Sequence, residues 1–146
     1  MDEIPRRLKE KPSWLLTQLT VHARRLVSEG FAEAGARGYH YRILAALDEF
    51  GPSSQADLGR RCRVDRSDVV AAVNQLTDLG YADRTPDPAH GRRNIVHLTK
   101  PGARQLRRMD KILDGVQDEL LGDLSAEERE TLVRLLGRVL TDHERS

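Results

Sequence analysis

Residues 65–99 read DRSDVVAAVNQLTDLGYADRTPDPAHGRRNIVHLT, and within this stretch the spacing of the apolar residues changes once. Up to Gly80 the spacing is helical: Val69, Val70, Val73, Leu76 and Leu79 fall on one side of a helix. Asp65 stands where a helix cap is wanted, Asp68 follows three positions on, and Gly80 supplies a stop. After Gly80 the period shortens to that of strands. Tyr81 to Thr85 on one side, and Ile95, Val96 and Leu98 on the other, flank Pro86-Asp87-Pro88-Ala89-His90-Gly91. That run is dense in turn formers, so the segment reads as a hairpin with Arg92 and Arg93 just past its tip.

Upstream, Ser53-Ser54 opens a short helix that carries Ala56 and Leu58 and runs out near Arg61-Cys62. Ser54 with Asp57 is a capping pattern, and the next helix begins only a few residues later. Two short helices joined by a tight turn, the second longer and preceded by arginines, form a helix-turn-helix; a basic hairpin after them makes it winged. Further helices flank this unit. One runs from about Tyr39, with Tyr41, Leu44, Leu47 and Phe50 as its apolar row, and stops at Gly51-Pro52. Before it, Leu15, Leu19, His22 and Leu26 share a face between Pro12 and Phe31, and the pattern breaks at Gly35 to Gly38. Downstream, Thr99 caps a helix with Pro101 in its first turn. Along it Leu106, Met109, Leu113, Val116 and Leu120 repeat like a heptad seam. Ser125 with Glu128 marks a last capping box before Leu132, Leu136, Val139 and Leu140. The expected fold is mainly α with a small β-hairpin wing.

Composition narrows the function. The 146 residues are 38% hydrophobic and 32% charged, a modest core under much solvated helix surface, which dimerisation would enlarge. No apolar run approaches the ~18 residues of a membrane span, and residues 1–12 are charged rather than signal-like. Cys62 is the single cysteine, so no internal disulfide forms and a cytoplasmic location fits. It reads as a small buried filler in preference to a redox sensor. Net charge is only +1, yet Gly51 to Leu98 holds seven arginines and no lysine. No glycine-rich phosphate loop and no nucleophile–base signature points to an enzyme or a cofactor. The histidines, His22, His40, His90, His97 and His143, include no pair at i, i+4 spacing, so no metal site is expected.

The order of elements resembles the MarR family (multiple antibiotic resistance regulators) over nearly the whole chain. The resemblance is most specific in the wing and its exit, Asp87-Pro88-Ala89-His90-Gly91-Arg92-Arg93 followed by Ile95-Val96-His97-Leu98-Thr99 and Gly102. Val64-Asp65-Arg66-Ser67 and Leu76-Thr77-Asp78-Leu79-Gly80 are similar too. Two positions depart from the family pattern: His90 replaces a wing aspartate, and Ala71 stands where many relatives carry arginine.

What the resemblance implies is a homodimeric regulator of transcription, commonly a repressor, bound to a pseudo-palindromic DNA site and released by a small aromatic or anionic ligand. The single chain, 1–146, would then divide into a winged helix-turn-helix over 39–99 and a helical dimerisation region over 12–37 and 100–146. Arg66 and Ser67 begin the recognition helix, where side chains meet bases. Asn74 and Gln75 reach base edges or phosphates, or simply face solvent. Arg92 enters the minor groove and Arg93 assists at phosphate. Ser54 and Gln55 hold a phosphate at the start of their helix, capping being the plainer role of Ser54. Trp14, His22, Tyr39, His40, Tyr41 and Arg42 combine aromatic rings with a cation and are candidates for the ligand, core or interface packing being their commoner fate. The rival reading is a non-catalytic protein-interaction adaptor that has kept the winged helix and lost DNA.

Overall fold

The computed structural model describes residues 3–146. Seven helices and three strands follow one another as α1 (Arg6–Lys9), α2 (Pro12–Glu33), α3 (His40–Phe50), β1 (Ser53–Ser54), α4 (Gln55–Cys62), α5 (Arg66–Asp78), β2 (Ala82–Asp87), β3 (His90–Leu98), α6 (Lys100–Leu121) and α7 (Ala126–Glu144). The expected class, mainly helical with a hairpin wing, is the one found.

The caps are local and behave as the sequence suggests, with one exception. The Ser54 hydroxyl accepts from the Asp57 N–H, that of Thr99 from the Gly102 N–H, and Ser125 and Glu128 form both halves of a capping box. Asp65 occupies the N-cap position of α5, but its side chain accepts nothing from the helix. The turn between α4 and α5 closes through Arg63, whose φ of 57° lies in the left-handed region. Its N–H reaches the Gly59 carbonyl.

One hydrophobic core holds the winged unit together. Ile43 and Leu44 of α3, Leu58 of α4, Val69, Val73 and Leu76 of α5, Val96 of β3 and Met109 of α6 are wholly enclosed. The apolar seam of α6 is therefore satisfied inside its own chain: Leu106, Met109 and Val116 are buried, and the helix packs on α2 and α3. The uncovered apolar surface lies elsewhere. α7 buries no residue at all, and Val133, Leu136, Val139 and Leu140 stand exposed along it. Leu16, Leu19 and Val21 of α2 are exposed likewise.

The sheet has three strands, not two, in the order β1-β3-β2. β1 pairs antiparallel with β3, Ser53 opposite Val96 and Ser54 opposite Ile95. The wing is also longer than its turn residues suggest. β2 continues through Pro86 to Asp87 and β3 begins at His90, with the register shifting between Pro86 and Asp87. Only Pro88 and Ala89 are left to turn, so Arg92 and Arg93 sit on β3 and not in a loop.

The wing's base is fixed where Thr99 and Gly102 meet Gly80-Tyr81. The Thr99 hydroxyl donates to the Gly80 carbonyl and its N–H to that of Tyr81. A Cβ on Gly102 would stand 2.0 Å from the Tyr81 carbonyl oxygen and 2.9 Å from Leu98 Cδ1. Neither backbone can retreat without breaking the cap. Gly102→Ala is expected to cost about 3 kcal/mol and to lower the thermal midpoint by roughly 10 °C, measurable by calorimetry. An unchanged midpoint would show that the helix and strand are not locked together here.

Candidate nucleic-acid interface

Between α4, the start of α5 and β3 lies a cleft of about 540 Å³. Ser54, Gln55, Arg66, Arg92 and Arg93 all line it, together with Arg60 and Asn94. Residues from three separate segments thus meet at one concave surface with four guanidinium groups. Of the four, Arg60 is tied to Asp57 (3.0 Å) and Arg93 to Asp87 (2.9 Å), whereas Arg66 and Arg92 make no ion pair among the described residues. Such a surface suits an extended anion with in-line phosphates better than a single small ion.

Asp87 explains how the wing keeps its shape without an acid at position 90. The residue is 8% exposed; Oδ1 accepts from the Ala89 N–H at 2.9 Å and Oδ2 from Arg93 Nε and Nη2 at 3.2 and 2.9 Å. The Ala89 amide first, and Arg93 second, hold the acid below the usual carboxylate range. Since the folded value is depressed, the ordering it provides is present above about pH 4 and lost as pH falls through the folded value. Exchange of the Ala89 amide should therefore be slow relative to its intrinsic rate at neutral pH, and that protection should fall in acid. In Asp87→Ala exchange should be roughly tenfold faster at neutral pH. Equal exchange in the two proteins would mean that the carboxylate does not shape the wing.

Along α5 the exposed row is Ser67, Ala71, Asn74 and Asp78. Asn74 lies on it and accepts from Arg84 Nη1 of β2 at 2.6 Å. Gln75 does not, because one further residue turns the helix by about 100°. It is half-buried, and its Oε1 stands 2.7 Å from Nε2 of the buried His40. The structure thus separates two neighbours that the sequence left together, and Gln75 joins α5 to α3.

The six residues considered for a ligand do not converge within one chain. Trp14 is half-buried and His22 exposed, both on α2. His40 lines a cleft of about 400 Å³ with Arg37 and Asp78. Tyr41 and Arg42 line another, of about 300 Å³, with Phe50, Arg61 and Cys62. Tyr41 stacks on Phe31 (5.6 Å between centroids) and donates to Asp110 at 2.6 Å. That bond, then burial and the acids of α6, push its pKa up to about 12, so it remains a donor. Arg42 lies 5.2 Å over the Tyr39 ring and donates to the Cys62 and Arg63 carbonyls in the helix-turn-helix turn. Cys62 is buried, and burial pushes its thiol up against the pull of Arg42 and Arg61, which suits a packing role.

Sequence reasoning missed Arg60, Arg84 and Asn94. The strand parity of β3 could have found Asn94, two residues from Arg92. Arg84 needed the pairing partner, Val96, to place it over α5.

The geometry defines a winged helix-turn-helix protein of the DNA-binding kind. A family model described as MarR family matches residues 34–93. A probable transcriptional regulator from Pseudomonas aeruginosa is 30% identical in its crystal structure, with a TM-score of 0.78 over 90% of this chain and 98% of that one. The HTH-type transcriptional repressor NicR of Pseudomonas putida is 27% identical over 99% of this chain and 91% of its own. Bordetella bronchiseptica BpsR, in a structure concerned with the regulation of its DNA binding by 6-hydroxynicotinic acid, shares the fold at 21% identity, with a TM-score of 0.79 over 93% of this chain and 97% of that one. The chain belongs to the MarR family and is a transcriptional regulator of that type.

Proposed function

We propose that two copies of this chain bind a pseudo-palindromic duplex site and repress the transcription that starts there. Residues 39–99 read the DNA, and the exposed apolar rows of α2 and α7, within 12–37 and 100–146, form the dimer. The arginine-lined cleft between α4, α5 and β3 carries the reading. Arg66, Ser67 and Asn74 meet the major groove, Arg92 enters the minor groove, and Ser54 and Gln55 hold a phosphate. Arg93 acts through Asp87, keeping the hairpin in shape beside Arg92. A relative named as a repressor supports the sign of the effect. A small anionic or aromatic ligand fits the cleft of Tyr41, Arg42, Phe50 and Arg61, where rings and cations stand together. Arg42 would carry its effect to the helix-turn-helix turn through the Cys62 and Arg63 carbonyls.

The test is a salt series on duplex taken from beside the chain's own coding sequence. With about six phosphates neutralised by the two copies, affinity should fall roughly thousandfold between 50 and 200 mM salt. No salt-sensitive binding to any duplex, together with a specific protein partner, would favour the adaptor reading instead.

A further inference from the structure

Asn74 stands at the middle of the exposed row of α5, the row that faces the major groove under the reading above, on which this inference rests. Its amide can be oriented from chemistry alone. A guanidinium donates and cannot accept, so the atom 2.6 Å from Arg84 Nη1 is Oδ1, and the NH2 group points away. Arg84 reaches Asn74 from β2, where it sits opposite the buried Val96, and the side chains of Arg84 and Asn74 are exposed. No carboxylate lies within ion-pair distance of Arg84 among the described residues.

The consequence is a change in what an asparagine can read. Bidentate recognition of adenine needs the amide oxygen to accept from N6 while the nitrogen donates to N7. Here the oxygen is engaged by a charged donor, and a base amino group brought beside it would meet the guanidinium N–H groups. One lone pair of the oxygen stays open but lies beside the guanidinium, so Asn74 and Arg84 together turn mostly donors to the groove: the amide NH2 group and the remaining guanidinium N–H groups. Guanine is the base whose major-groove edge carries acceptors alone, N7 and O6; adenine and cytosine each present an amino group, and thymine adds a methyl group to its single acceptor. We infer that Asn74, with Arg84 as its positioning residue, selects guanine at one position of each half-site.

The experiment is selection from a randomised duplex pool by the full-length wild type, Asn74→Asp and Arg84→Ala, each scored by base preference within its own bound pool. Preference is a ratio within one protein sample, so a loss of folded fraction does not alter it. The wild type should enrich guanine at one position per half-site by on the order of tenfold. Arg84→Ala should admit adenine there, since the freed amide can present both atoms. Asn74→Asp should disfavour guanine and turn toward cytosine or adenine, whose amino groups it can accept. Wild-type enrichment of adenine at that position would overturn the inference. So would variants that lose affinity evenly on all sequences with an unchanged preference, which is what a purely structural pair would do. A wild type that enriches no duplex at all removes the proposed function and this inference with it, an outcome distinct from the other two.

Discussion

Arg92→Ala is expected to lower affinity for the operator duplex by about 10- to 100-fold per wing, measured by titration at fixed salt. The size follows from where the residue sits. Arg92 is exposed on β3, lines the 540 Å³ cleft with Arg66, and makes no ion pair among the described residues, so its charge is available to DNA. A narrow minor groove concentrates negative potential and rewards an inserted guanidinium. Its neighbour differs in kind. Arg93 is already bound twice by Asp87, and Arg93→Ala should act by loosening the hairpin, with a smaller loss and little change in salt slope. Equal losses and equal slopes for the two variants would remove the distinction between contact and support.

A larger effect is expected from the other end of the molecule. Leu136→Asp combined with Val139→Asp places two charges on α7, where Leu136 is 41% and Val139 54% exposed within a single chain. A helix with no buried residue and a row of leucines and valines is an unfinished interface, since single chains seldom leave contiguous apolar surface uncovered. The second copy is the occupant proposed here, with Leu16, Leu19 and Val21 of α2 as further exposed apolar surface. The double variant should sediment as a monomer. Its affinity for a full two-half-site duplex should fall on the order of a thousandfold, because the second half-site is no longer bound at high effective concentration. Affinity for a single half-site should hardly move. A variant that stays dimeric would place the interface elsewhere.

These sites were legible in the sequence to different depths, and the reason is range. Ser54, Thr99 and Ser125 cap helices through bonds three residues long, so a local pattern suffices. β1 is two serines with no apolar alternation, and only its partner on β3, more than forty residues away, makes it a strand. Pro86 and Gly91 read as loop formers, yet a shifted register lets the hairpin run past them. The α6 seam was plain as an apolar row, but its period does not say whether the partner is α2 of the same chain or a second copy. Adjacent residues fared worst. His40 and Tyr41 turn to different clefts, and Asn74 and Gln75 to different neighbours, because the phase of a helix against its surroundings is set by packing. The arginine cluster announced a polyanion surface; which guanidiniums stay free depended on the positions of Asp57 and Asp87.

Hydroxyl-radical footprinting of the complex, with its protein-to-duplex ratio fixed by sedimentation, bears most directly on the whole account. Two chains per duplex should protect two patches related by a two-fold axis and centred about one helical turn, ~34 Å, apart, each flanked by protected minor groove. A single patch, a one-to-one complex, or protection without symmetry would contradict it.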